Sequence, residues 1–156
     1  SIHNMMAVCL ICGSPFHSVV SNRSLKSRKK TLILSTFCLS LLLIFINAFP
    51  SGLPIWGLYV IMLLLSVTAS AIVVIAFTTT KELFPVEIAG TSVGAVNLFP
   101  FLGGAIFQPV IGSILDCYEK TYIGTYSIEA YSTMLMTLLV AALIALASTF
   151  FMKETL

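Results

Sequence analysis

Polar and apolar positions in this chain do not alternate at the period of a surface helix or a strand. Apolar residues run on almost without interruption. No Asp, Glu, Lys or Arg occurs between Lys30 and Lys81. One helix over the fifty intervening residues would be about 75 Å long at 1.5 Å per residue. A bilayer's hydrocarbon core is only about 30 Å thick, so the run must fold back. The break falls at Pro50-Ser51-Gly52-Leu53-Pro54, where two prolines and a glycine remove donors and permit a turn. This pattern predicts spans at 31–49 and 55–80. Two further uncharged stretches predict spans at 88–115 and 130–152. Residues 2–20 form a fifth, weaker span interrupted by His3, Asn4 and Pro15. The expected fold is an all-α membrane protein of about five transmembrane helices.

Composition removes the soluble alternatives. Of 156 residues, 58% are hydrophobic and 9% charged, with a net charge of +2 and a mean hydropathy of +1.06. Soluble domains carry about 25% charged residues, and a small one leaves much of its surface exposed. A cytosolic enzyme, a nucleic-acid binder and a disordered tail are therefore excluded. The expected surroundings are membrane lipid, with no nucleic-acid partner. Ser1 is not a start methionine, and no basic segment with a small-residue cleavage site precedes an apolar core. The expectation is a piece of a longer protein.

The few charges set the orientation. Arg23, Lys26, Arg28, Lys29, Lys30, Lys81 and Lys153 fall on one side of the predicted spans, and of the eight basic residues only Lys120 falls on the other. Basic loops stay cytoplasmic, which predicts a cytoplasmic C-terminus, in the plasma (cell inner) membrane. Trp56 and the five tyrosines cluster near the opposite side, as interfacial aromatic residues do.

The loop before the second span reads Gly13-Ser14-Pro15-Phe16-His17-Ser18-Val19-Val20-Ser21-Asn22-Arg23-Ser24-Leu25-Lys26-Ser27-Arg28-Lys29-Lys30. By itself it is a positive-inside anchor. Its order also resembles the G-x-P-x-x-G-x-x-S-D-R-x-x-x-R-R/K loop of the major facilitator superfamily, through Gly13, Pro15, Ser21, Arg23, Arg28 and Lys29. Ser18 stands for the second glycine and Asn22 for the aspartate. The segment Glu82-Leu83-Phe84-Pro85-Val86-Glu87-Ile88-Ala89-Gly90-Thr91, followed by Gly94 and Asn97, is similar to the opening of helix eleven in that superfamily, with Ala89 where an arginine is frequent. Lys153-Glu154-Thr155 resembles the end of helix twelve.

The resemblance implies helices eight to twelve, part of the C-terminal six-helix bundle of a twelve-helix transporter. It further implies movement of a small-molecule solute by alternating access, with the N-terminal half of the same transporter as partner and an isolated piece that is inactive. Gly13, Pro15, Ser21, Asn22, Arg23, Arg28, Lys29, Glu82, Pro85, Glu87 and Gly90 are the implied conformational or gate-loop residues. In such a loop an acidic group caps a neighbouring helix N-terminus and arginines hold the packing through charge-assisted contacts. Asn22 keeps the capping ability without the charge.

The fourth predicted span carries the candidate path. Asn97, Phe101, Gly104 and Gln108 are spaced 4, 3 and 4 residues apart. At 100° per residue, positions 97 and 108 differ by about 20°, so they share a face. Two amides and a glycine suit lipid poorly. The face serves either helix packing with interhelical hydrogen bonds or a polar path. Gly90 and Gly94 form a small-x-x-x-small pair for close approach. Thr68 is a further path candidate, although membrane hydroxyls most often bond back to their own helix. Cys9-Leu10-Ile11-Cys12 lies in an apolar segment without further nearby ligands, and a metal site needs about four. No phosphate-binding glycine loop, metal cluster or acid–base pair is evident, so no cofactor and no enzymatic activity are expected. A small multispan protein with an assembly or scaffolding role is the alternative function.

Overall fold

The computed structural model describes residues 27–49, 53–120 and 124–154. These form four helices: α1 (Arg28–Ala48), α2 (Ile55–Leu83), α3 (Val86–Asp116) and α4 (Ile128–Phe150). All four are long and apolar enough to cross a membrane. The expected span at 2–20 and the loop positions Gly13, Pro15, Ser21, Asn22 and Arg23 lie outside the described residues.

The helix ends follow from local chemistry. α1 starts at Arg28, before the expected position 31, because Ser27 is its N-cap and accepts a hydrogen bond from the Lys30 N–H. Ser127 caps α4 in the same way through the Ala130 N–H. α2 runs on to Leu83, so Lys81 and Glu82 belong to its last turn. Pro85 disfavours helical backbone at Phe84, and both residues are extended, forming a two-residue corner before α3. The link from α3 to α4 turns at Gly124, whose φ of 77° favours glycine. An isolated antiparallel bridge between Lys120 and Tyr126 closes this turn.

Burial is reversed relative to a soluble bundle. α1 turns Thr31, Ser35, Thr36 and Ser40 inward and leaves Leu34, Phe37, Leu41 and Ile44 exposed. α2 likewise buries Ser66, Ser70 and Ala71. Small residues let helix backbones approach when lipid gives no hydrophobic drive to associate. Several buried hydroxyls bond within their own helices, as in Ser40 to the Thr36 carbonyl at 2.9 Å and Ser66 to the Met62 carbonyl at 2.8 Å. Thr79 differs: its buried Oγ1 has no hydrogen-bond partner among the described residues.

α1 packs extensively on both α4 and α2, while α3 rests more lightly on α2 and α4. α1 is the most deeply packed of the four. None of the 31 residues of α3 is buried.

Candidate functional site: a charged clasp and an uncovered helix

Three helix ends meet where the basic residues gather. Arg28, at the start of α1, is buried. Its Nη2 lies 2.7 Å from Glu82 Oε1, and its Nε donates to Glu82 Oε2 at 3.3 Å. This two-pronged contact ties α1 to α2 and suits the planar guanidinium. The last described residue, Glu154, lies beyond the end of α4 and reaches back to α1. Its Oε1 accepts the Arg28 N–H at 3.0 Å, and Ser27 Oγ donates to Oε2. A carboxylate thus occupies the positive end of the α1 dipole.

The exchange is reciprocal. Lys29 Nζ donates to the Phe150 carbonyl at 2.7 Å, placing a cation at the negative end of α4. α1 and α4 each supply the charge that the other's terminus attracts. The result is one clasp over three helix ends, in which no described α3 residue takes part. Pro85 is the N-cap position of α3 and Glu87 stands in its first turn, suitably placed for the dipole. Both are exposed at the corner, as is Gly90.

At the opposite end the contacts are mostly those of amides, hydroxyls and phenols. Asn47 of α1 accepts from Ser132 Oγ of α4 at 2.9 Å and donates to Met136 Sδ at 3.4 Å. Tyr118 Oη and Thr133 Oγ1 lie 2.7 Å apart. Tyr126 donates to Asp116 at 3.2 Å, with Lys120 Nζ 5.2 Å from the Tyr126 ring centre.

Asn97, Phe101 and Gln108 lie on α3 and are all exposed. Neither amide has a hydrogen-bond partner among the described residues. A Cβ added at Gly90, Gly94, Gly103, Gly104 or Gly112 would meet nothing within 4 Å. Each such glycine weakens a helix by about 1 kcal/mol relative to alanine in soluble hosts, and contacts among the described residues do not account for them. Thr68 is half-buried and bonds to the Leu64 and Leu65 carbonyls at 2.9 and 3.0 Å. No hydrogen bond joins it to the α3 face.

Sequence reasoning missed two members of the clasp, Ser27 and Glu154, and the interhelical amide Asn47. A signal existed for Ser27, a serine directly before a long apolar run. Glu154 had only its place in the Lys153-Glu154-Thr155 ending, which says nothing about its partner.

Comparison with known proteins gives one family assignment. The model of a family described as "MFS_1 like family" matches residues 1–155. No curated protein and no solved structure matches.

Proposed function

Because the chain belongs to the MFS_1 like family, whose members are membrane transport proteins related to the major facilitator superfamily, we propose that it serves the secondary active or facilitative movement of a small solute by alternating access. It is an integral multi-pass membrane protein, and its family points to a transporter rather than an enzyme.

The observation that carries the reading is α3. A helix of 31 residues with none buried, five glycines open to space and two amides without a partner among the described residues is poorly built to face lipid. In this proposal its Asn97–Phe101–Gln108 face lines a solute path near the membrane midplane. Thr68 stands beside that path on α2. The N-terminal half of the same transporter covers the face, so the piece alone does not transport.

The clasp supplies the second part. Arg28, Lys29, Glu82 and Glu154 bind the ends of α1, α2 and α4 into one unit. The corner at Phe84-Pro85 and the internal Pro100 and Pro109 give α3 freedom to rock against that unit. The family resemblance assigns Gly13, Pro15, Ser21, Asn22 and Arg23 to the gate loop as well, and Glu87 and Gly90 carry the gate onto α3. The basic clasp side faces the cytoplasm of a cell's plasma membrane, and the C-terminus lies on that side.

The test is cysteine accessibility at Asn97→Cys, with Cys9, Cys12, Cys38 and Cys117 replaced by serine. A membrane-impermeant thiol reagent is expected to label Asn97→Cys in one conformation of the intact transporter, and the solute to slow the reaction. Complete protection in every conformation would refute the path assignment.

A further inference from the structure

Two open clefts follow one another along α1, α2 and α4. The larger has a volume of about 490 Å³ and includes Leu39, Leu43, Ala69 and, from α3, Phe107 in its walls. The smaller has about 280 Å³ and lies between Leu32, Thr36, Ser148 and Met152. Ala145 lines both, so they form one track. The α1 wall is Leu32, Thr36, Leu39 and Leu43, at steps of 4, 3 and 4 residues, which is a single helix face. Over those residues α1 rises about 16 Å. That is close to one leaflet, or about half of the 30 Å hydrocarbon core.

The track makes no polar demand along its length. The Thr36, Ser66, Ser148 and Thr149 hydroxyls all donate to carbonyls of their own helices. A water held there would lack the two to four partners it needs. The mouth is different. Three residues before Leu32, on the same face, stands Lys29. One of its three ammonium donors goes to the Phe150 carbonyl. Lys30 and Lys153 are exposed at the same end. Two carboxylates there are engaged, Glu82 by Arg28 and Glu154 by Ser27 and the Arg28 N–H, while Glu87 stands apart from the track on α3.

We propose that this track is a binding site for one anionic phospholipid of the leaflet beside the clasp. One acyl chain lies along Leu32–Leu43 and the phosphate meets Lys29. Apolar walls over one leaflet's depth, with a cation at the mouth, match a chain and an anionic headgroup in both length and charge. Basic residues near an anionic surface contribute about 1 kcal/mol each, so the headgroup decides which lipid is retained. The bound lipid braces α1 against α4 beneath the clasp. This inference rests on the membrane fold and not on the transport reading.

The test uses the full chain in phosphatidylcholine vesicles containing a little phosphatidylglycerol with a photoactivatable diazirine at mid-chain. Labelled residues are located by tandem mass spectrometry after irradiation. Label is expected to concentrate on Leu32, Thr36, Leu39 and Leu43 of α1 and on Ala141, Ala145 and Thr149 of α4. Added unlabelled phosphatidylglycerol is expected to compete with it, and added phosphatidylcholine not to. Ala145→Phe blocks the junction of the clefts and removes most of the label, whereas Ala147→Phe, exposed and lining neither cleft, leaves it. Lys29→Gln lowers the preference for the anionic lipid about fivefold. Equal competition by both lipids, or label spread evenly over outward residues such as Leu34, Phe37 and Leu41, overturns the proposal. The competition uses the unaltered chain and decides the matter whatever Ala145→Phe does to folding.

Discussion

Neutralising Arg28 and Glu82, singly and together, isolates the ion pair that fastens α1 to α2. The variants are Arg28→Gln, Glu82→Gln and the double substitution. The closest approach is 2.7 Å, with side-chain exposures of 8% for Arg28 and 32% for Glu82. Charge centres about 4 Å apart attract by about 4 kcal/mol at an effective dielectric constant near 20. Breaking a well-buried pair costs about 3–5 kcal/mol, while an exposed pair is worth about 0.2–1 kcal/mol. Glu82 is about one-third open to its surroundings, which weakens the attraction through screening. A coupling energy of about 2 kcal/mol is therefore expected. Reversible unfolding of the full chain in mixed micelles, by titration with dodecyl sulfate and followed by circular dichroism, gives the four stabilities of the cycle. A coupling below about 0.5 kcal/mol would place the pair with exposed surface bridges and refute the clasp as a structural fastening. The coupling should also change little between low and high salt, because buried pairs are screened less than exposed ones.

Two further outcomes follow from neighbouring contacts. Glu154→Ala removes the carboxylate that caps α1 from across the bundle, with an expected loss of about 1 kcal/mol. Hydrogen exchange should speed up at the Arg28 and Lys30 amides, and unchanged exchange there would count against the capping role. Thr79→Val removes a buried hydroxyl without a hydrogen-bond partner among the described residues and should raise stability by about 1 kcal/mol. A loss of stability in the same unfolding titration would reveal a partner for that hydroxyl.

The four described helices were legible because a membrane simplifies the code. Backbone polar groups have no water to bond in hydrocarbon, so a long uncharged run becomes a helix. Charges, prolines and glycines mark where it ends. The cap at Ser27 obeys a local rule and shifts the start of α1 by one turn. Glu154 obeys no local rule. Its partners, Ser27 and Arg28, are more than 120 residues away, and no periodicity reports which helix ends converge. Asn47 and Ser132, 85 residues apart, were hidden in the same way. The face of α3 was readable as a stripe, but its lack of cover was not. A stripe of Asn97, Phe101 and Gln108 looks the same in sequence whether a neighbour covers it or not.

The sequence by itself determined that this protein lives in a membrane and where its described helices run. Both depend on the transfer of short segments out of water, and that energy is a sum over neighbouring residues. Its charge pattern also predicted that basic residues gather on one side. The tertiary structure decided the rest. It buried Arg28 against Glu82, drew Glu154 back onto the start of α1, joined two clefts at Ala145 and left α3 without a buried residue. Those outcomes depend on which helices pack against which. Small residues let several faces approach equally well, so their choice of partner is settled only when all the helices are assembled together.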